Sequence, residues 1–148
     1  LELALHCDLR VVAESARMGM PLARIGLVVP YPLTQKLLDT IGTATTKDLL
    51  FTGAMLDARS AQQAGLVHRL VPDAELAQAT RALAAEIAAN APLSIRTMKA
   101  AINEANRFRS RTPSPELAAQ AAAVRRSADL QEGLRAVFEK RRPVFTGR

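Results

Sequence analysis

The sequence predicts a mixed α/β arrangement over residues 1–72 followed by an all-helical region over residues 73–148. Two β-branched apolar runs, Leu9-Arg10-Val11-Val12-Ala13 and Leu66-Val67-His68-Arg69-Leu70-Val71, read as strands, and both lie in the first half. Between them Gly19, Pro21, Gly26, Pro30 and Pro32 make residues 14–32 a loop with extended pieces. Beyond Asp73, apolar residues recur at helical spacing with Ala between them.

Each element has a local reason. Leu1, Ala4 and Leu5 share a helical face over Glu2 to Cys7, and Asp8 ends the pattern. Two short helices are expected at Leu33 to Ile41 and Thr45 to Phe51, each closed by a left-handed glycine, Gly42 and Gly53. Asp57 can cap a helix over 58–64, stopped by Gly65, and Pro72 closes the second strand. Two strands make no independent sheet of useful size, so they are expected to pair with strands outside this chain.

In the second half, Leu76, Leu83 and Ile87 form one stripe between Glu75 and Asn90. Pro92 suits the first turn of the next helix, with Ile95, Met98 and Ile102 facing inward. Arg107 to Pro115 reads as a loop, and Glu116 to Arg126 as a helix. Asp129 to Glu132 has capping-box spacing and opens a last helix running to about Arg142, before Pro143.

Composition narrows the function classes. With 49% hydrophobic and 23% charged residues, the 148-residue chain is neither disordered nor collagen-like. No uncharged run approaches a bilayer span, which predicts no membrane partner. No cationic stretch followed by an apolar core opens the chain, and the single Cys7 excludes an internal disulfide, so a cytoplasmic location is expected. Leu1, already inside a helical pattern, suggests a chain cut from a longer protein.

The net charge of +6 is uneven: residues 1–104 are balanced, and residues 105–148 carry ten Lys/Arg against four Asp/Glu. That excess fits either an anionic partner or a solvated Arg-rich helix face. A helical nucleic-acid-binding module is one reading of the basic charge. It lacks a recognition-helix arrangement, and 3% aromatic content leaves little to stack on bases, so no nucleic-acid partner is expected. His6, Cys7 and Asp8 are contiguous and do not converge on one helix face, so no metal site is expected. Cys7 reads as a small buried hydrophobe, and His68 sits mid-strand without a paired ligand spacing.

The stretch Leu1-Glu2-Leu3-Ala4-Leu5-His6-Cys7-Asp8-Leu9-Arg10 resembles the helix-to-strand junction of the crotonase (enoyl-CoA hydratase/isomerase) superfamily, just after its Gly-rich turn. The resemblance continues through Ala13-Glu14-Ser15-Ala16-Arg17-Met18-Gly19-Met20-Pro21, Ile25-Gly26-Leu27 and Leu50-Phe51-Thr52-Gly53. It runs on through Asp57-Ala58, Ala64-Gly65-Leu66-Val67 and Phe138-Glu139-Lys140-Arg141-Arg142-Pro143, in the family's order.

The resemblance implies an α/β fold: a crotonase-like ββα spiral core lacking its N-terminal half, then a C-terminal helical region. Residues 1–72 would be the C-terminal part of that core, and residues 73–148 a trimerisation and CoA-covering region. It also implies an acyl-CoA thioester as substrate, no cofactor, and a homotrimer or hexamer for the full-length protein. In such chemistry two backbone N–H groups stabilise an enolate-like oxygen. By the resemblance both precede Leu1, so the chain alone would be inactive.

Glu2 matches the position of a hydratase carboxylate that can position water or move a proton. A first-turn Glu also serves the helix dipole without any catalytic role. Hydratases of the family place a second Glu after the Pro of the Gly-x-Pro segment, where this chain has Leu22. The family's decarboxylases also lack that Glu, so the reading is hydratase-like with altered chemistry, decarboxylase-like, or a non-catalytic CoA-binding paralogue. The resemblance further places Met20, Pro21, Leu22, Val29 and Tyr31 at the acyl group, although Tyr31 between two prolines also serves as filler. Phe138 and Lys140 would meet the adenine and phosphates of CoA, with Phe138 one residue past the usual aromatic position. Lys140-Arg141-Arg142 also reads as an ordinary cationic helix end.

Overall fold

The computed structural model describes residues 1–107, 112 and 115–147. The chain opens on one helical turn, α1 (Glu2–Leu5), and continues into β1 (Val11–Ala13) and β2 (Arg17–Gly19). A 3₁₀ helix at Pro21–Ile25 leads to the long α2 (Tyr31–Thr52), then β3 (Met55–Asp57), α3 (Ala58–Gln63) and β4 (Arg69–Val71). A 3₁₀ turn at Asp73–Glu75 introduces α4 (Leu76–Ala88), α5 (Pro92–Arg107), α6 (Pro115–Val124) and α7 (Ala128–Phe138).

The two predicted strands pair with each other. β1 lies parallel to β4 in the register Val11↔Arg69, Val12↔Leu70, Ala13↔Val71, which the long connection through α2 and α3 permits. β2 and β3 form a separate antiparallel pair, Arg17↔Asp57 to Gly19↔Met55. Each strand is only three residues long. The second expected strand is shortened because Leu66 and Val67 are drawn into the core, and the carbonyl of Arg10 receives the N–H groups of both His68 and Arg69. A strand as short as β3 carries no periodicity to read in a sequence.

The two helices expected at Leu33 to Ile41 and Thr45 to Phe51 are one element with a break at Gly42. Gly42 has φ 70° and ψ 173°, a region open almost solely to glycine, and the helix resumes at the next residue instead of ending. Gly53 (φ 62°, ψ 27°) does cap the element as expected. Leu33, Leu37, Ile41 and Leu49 of α2 meet Leu5, Met18, Met20, Ala61, Leu66 and Val67 in the main core. Asp57 caps α3 by accepting the Ser60 N–H at 2.7 Å.

In the helical half, Leu83 is buried against the α/β half while Leu76 and Ile87 are half-buried. Met98 and Ile102, expected to face inward, are 53% and 62% exposed, and Ile95 is half-buried. The apolar stripe of α5 exists, but among the described residues only its Ile95 end is partly covered, beside Ile87 of α4. The loop expected over 107–115 falls largely outside the described residues. Helix α7 is capped by Ser127, whose Oγ accepts the Leu130 N–H at 3.1 Å, and not by a capping box at Asp129. It ends at Phe138, short of Arg142, because Lys140 takes a left-handed backbone (φ 54°). Cys7 is exposed rather than buried, since α1 stops at Leu5 and turns its last residues outward. No helix among the described residues is long and apolar enough to cross a membrane.

Candidate functional site

A helix of four residues cannot hold itself, because nucleation fixes several dihedrals for one hydrogen bond. Helix α1, which carries Glu2 exposed in its first turn, is held by the buried Leu5 and by Arg10. The Arg10 guanidinium donates to the carbonyls of Cys7 (2.9 Å) and Ala4 (3.4 Å), and across to Leu66 (2.6 Å). The Arg10 N–H donates to Nδ1 of His68 at 3.1 Å. Partial burial, then the nearby Arg10 charge, lowers the His68 pKa and favours the neutral ring that this bond requires. His68 is therefore a backbone acceptor just before β4, not a mid-strand residue.

Met20, Leu22 and Val29 come together around a cavity of about 230 Å³ beside the 3₁₀ helix. Leu27, Leu50 and Phe51 add to its wall, and Thr34 is its one polar side chain. Leu22 and Val29 also pack against the core that holds Leu5, which links this wall to α1. Pro21 opens the 3₁₀ helix and is exposed. Tyr31 is half-buried at the start of α2 and does not line this cavity. Glu2 does not line it either.

The other candidates stand apart, at the end of α7. Phe138 is 88% exposed, and Lys140 is exposed with no hydrogen-bond or ion-pair partner for its ammonium among the described residues. Around Lys140 the backbone forms a Schellman-type closure: the Arg141 N–H donates to Ala136 O (3.0 Å) and the Lys140 N–H to Val137 O (3.3 Å). Arg141 then grips Glu132 through both carboxylate oxygens (2.5 and 2.9 Å) and Glu139 at 2.5 Å. Glu132 also accepts the Val144 N–H (3.0 Å), and Asp129 those of Thr146 (2.7 Å) and Gly147 (2.8 Å). These contacts fold the tail back along α7. The hydrogen bonds from Arg141, then that from Val144, lower the Glu132 pKa from 4.5 to about 2. The Thr146 N–H is the largest influence lowering that of Asp129.

Sequence reading did not single out Arg10, Ser127 or the Glu132–Arg141 pair. A cationic side chain just past a short helix is the signal that points to Arg10. Partners nine residues apart, across a helix end, carry no periodic signal. Among the described residues, no group of three or more His, Cys, Asp or Glu is placed to hold a metal ion.

The arrangement has counterparts in known proteins. The family described as Enoyl-CoA hydratase/isomerase matches residues 1–148. A hydratase-family protein of Thermus thermophilus is 41% identical over 150 residues, covering 97% of this chain and 56% of its own length. The 2,3-dehydroadipyl-CoA hydratase of Escherichia coli is 31% identical over 156 residues, with 99% and 58% covered. Among solved structures, methylmalonyl-CoA decarboxylase in complex with 2-nitronate-propionyl-CoA superposes with a TM-score of 0.89 at 28% identity, over 99% of this chain and 57% of that one. A carnitinyl-CoA dehydratase from Mycobacterium avium gives 0.82 at 32%, with 99% and 58% covered. The chain thus spans a little over half the length of the curated relatives it matches. With the family's sequence pattern running from Leu1 to Arg148 and crotonase-fold structures superposing on nearly all of it, this chain belongs to the enoyl-CoA hydratase/isomerase family.

Proposed function

We propose that the protein carrying this chain processes an acyl-CoA thioester through an enolate-like intermediate, hydratase-like in Glu2 and altered at Leu22. The observation that carries the reading is the cavity beside the 3₁₀ helix. Leu22 stands in its wall with Met20 and Val29, and no carboxylate lines it. A leucine neither accepts nor donates a proton, so of the two carboxylate positions that the family resemblance assigns to hydratases only Glu2, which stands outside this cavity wall, is filled to position water or move a proton at the β-carbon. The oxyanion donors lie outside this chain, and removing even one such donor costs about 10²–10³ in rate, so the chain alone is inactive.

A second reading, decarboxylation, is favoured by the same apolar wall. Loss of CO₂ from a 2-carboxyacyl thioester leaves its electron pair on the enolate, which then takes a proton. That step needs the oxyanion donors but no second carboxylate. The likeness to a decarboxylase bound to a CoA ligand supports it. A non-catalytic CoA-binding role is the remaining alternative.

Residues 1–72 supply part of the α/β core, and residues 73–148 a helical region that covers CoA and packs between subunits of a trimer or hexamer. The exposed Leu93, Met98 and Ile102 of α5 support that packing. Met20, Leu22, Val29 and Tyr31 flank the acyl group with Pro21, and Phe138 and Lys140 reach the adenine and phosphates. No cofactor is required. The test is made on the full-length protein with crotonyl-CoA and with a short 2-carboxyacyl-CoA. Weak hydration that rises on Leu22→Glu and falls on Glu2→Gln is the expected result. CO₂ release exceeding hydration selects the second reading. Strong hydration in the parent, unmoved by Glu2→Gln, overturns the role of Glu2, and turnover of neither thioester leaves the CoA-binding role.

A further inference from the structure

Lys140 is the one non-glycine residue with positive φ among the described residues. An L-residue there is strained, because its Cβ crowds the following carbonyl, and glycine is the residue that usually fills this position at a helix end. A strained backbone persists only where surrounding contacts over-determine it. Here they do. The two closing N–H bonds fix the turn, Arg141 is gripped by Glu132 and Glu139, and Glu132 and Asp129 tie down the tail through Val144, Thr146 and Gly147. Arg141 is engaged by Glu132 and Glu139, and Asp129 by the Thr146 and Gly147 N–H groups, whereas the exposed Lys140 ammonium has no partner among the described residues.

We propose that the Glu132–Arg141 pair, seconded by Asp129, is a positioning device that holds Lys140 in its left-handed conformation and so aims its ammonium at the phosphates of a CoA thioester. This rests on the placement of Lys140 at CoA in the preceding reading. Glu132 and Arg141 act through Lys140 and need no contact with the thioester. A flexible Lys at a relaxed helix end would lose more rotamer and backbone freedom on binding, and fixing the turn beforehand removes that cost. The alternative, that Glu132 and Arg141 only stabilise the tail, predicts different coupling.

The experiment uses the full-length protein, with free CoA as the binding probe in calorimetry and with steady-state kinetics on the thioester it turns over. Lys140→Ala is expected to weaken CoA binding about tenfold, the lower end for a charge-assisted contact. Glu132→Gln and Arg141→Lys are expected to weaken it several-fold and to raise KM more than they lower kcat. In the Lys140→Ala background neither should weaken it further. Lys140→Gly should raise the melting temperature while weakening CoA binding, since it relieves the strain and removes the ammonium. Unchanged binding in Lys140→Ala overturns the placement of Lys140 at CoA. Loss in Lys140→Ala with full affinity in both Glu132→Gln and Arg141→Lys, or losses that add in full in the double variants, overturns the positioning device alone. A lower melting temperature for Lys140→Gly overturns the strain argument. Arg141→Lys keeps the charge and serves where Glu132→Gln does not fold.

Discussion

Helix α7 is seated on the 3₁₀ helix through glycine, so a single methyl group at Gly133 should unseat it. A Cβ at Gly133 would lie 2.5 Å from the Ile25 carbonyl oxygen, 2.6 Å from its carbon and 2.8 Å from its Cα. Ordinary contact begins near 3.4 Å, so α7 would have to retreat by about 0.9 Å against backbone that cannot swing aside. From the other side, a Cβ at Gly26 would meet the Asp129 carbonyl oxygen at 2.9 Å, so no slide along the interface relieves the clash. Retreat also loosens Leu130 and Ala136, both buried under α7. Overpacking of this kind costs about 1–3 kcal/mol, and alanine returns about 1 kcal/mol as the better helix former. Because the atoms met are backbone, Gly133→Ala should destabilise by about 1–2 kcal/mol. Urea unfolding of the full-length protein reads this directly, with Gln131→Ala on the exposed face of α7 expected within about 0.5 kcal/mol of the parent. Stabilisation of Gly133→Ala by about 1 kcal/mol, as helix propensity alone gives, would refute the close packing.

Three further outcomes follow from single contacts. Thr46 is 3% exposed and its hydroxyl has no hydrogen-bond partner among the described residues, so Thr46→Val should raise stability by about 1 kcal/mol in thermal unfolding, and a loss would reveal a partner for the hydroxyl. Arg10→Met removes the guanidinium donor from the Cys7 and Leu66 carbonyls and one of two donors from that of Ala4, and should cost about 2 kcal/mol and, on the proposed role of Glu2, lower turnover, whereas unchanged unfolding and activity would show that α1 stands without it. Glu132 has a pKa depressed to about 2, so its contribution is present above the ordinary carboxylate range and is lost as pH falls from 4.5 toward about 2, and Asp129, also depressed, loses its contribution in the same direction. Hydrogen exchange at the Val144, Thr146 and Gly147 amides should show the tail releasing in that window, and unprotected amides at neutral pH would contradict the latch.

The helices were readable because each repeats its own signal. Leu33, Leu37 and Ile41 mark a buried face of α2, and Asp57 and Gly53 mark local ends that depend on neighbours a few residues away. Strand content was read less well. Leu66 and Val67 have strand-like side chains, yet the core claims them as loop residues, while Met55–Asp57 pairs with β2 without any alternating pattern. Within the candidate site, Leu22 stood out in the sequence only through the resemblance, as the residue following the Pro of the Gly-x-Pro segment. That it shares a cavity wall with Met20 and Val29, and that Tyr31 does not, depends on how the 3₁₀ helix and α2 are packed.

By itself the sequence determined the family pattern, the split into a mixed α/β first half and a helical second half, the glycine-closed end of α2 and the basic excess beyond residue 104. These are local or compositional properties, set by propensity, capping and charge within a few residues. Only the tertiary structure decided that β1 pairs in parallel with β4, that Arg10 braces α1 through Leu66, and that Glu132 and Arg141 close α7 around a left-handed Lys140. Each of these is a contact between residues separated by a turn, a crossover or a helix end. Its energy depends on geometry that no periodicity in the chain encodes. The same limit made Met98 and Ile102 look interior: a helical stripe records that a face is apolar, and only the packed structure records whether anything covers it.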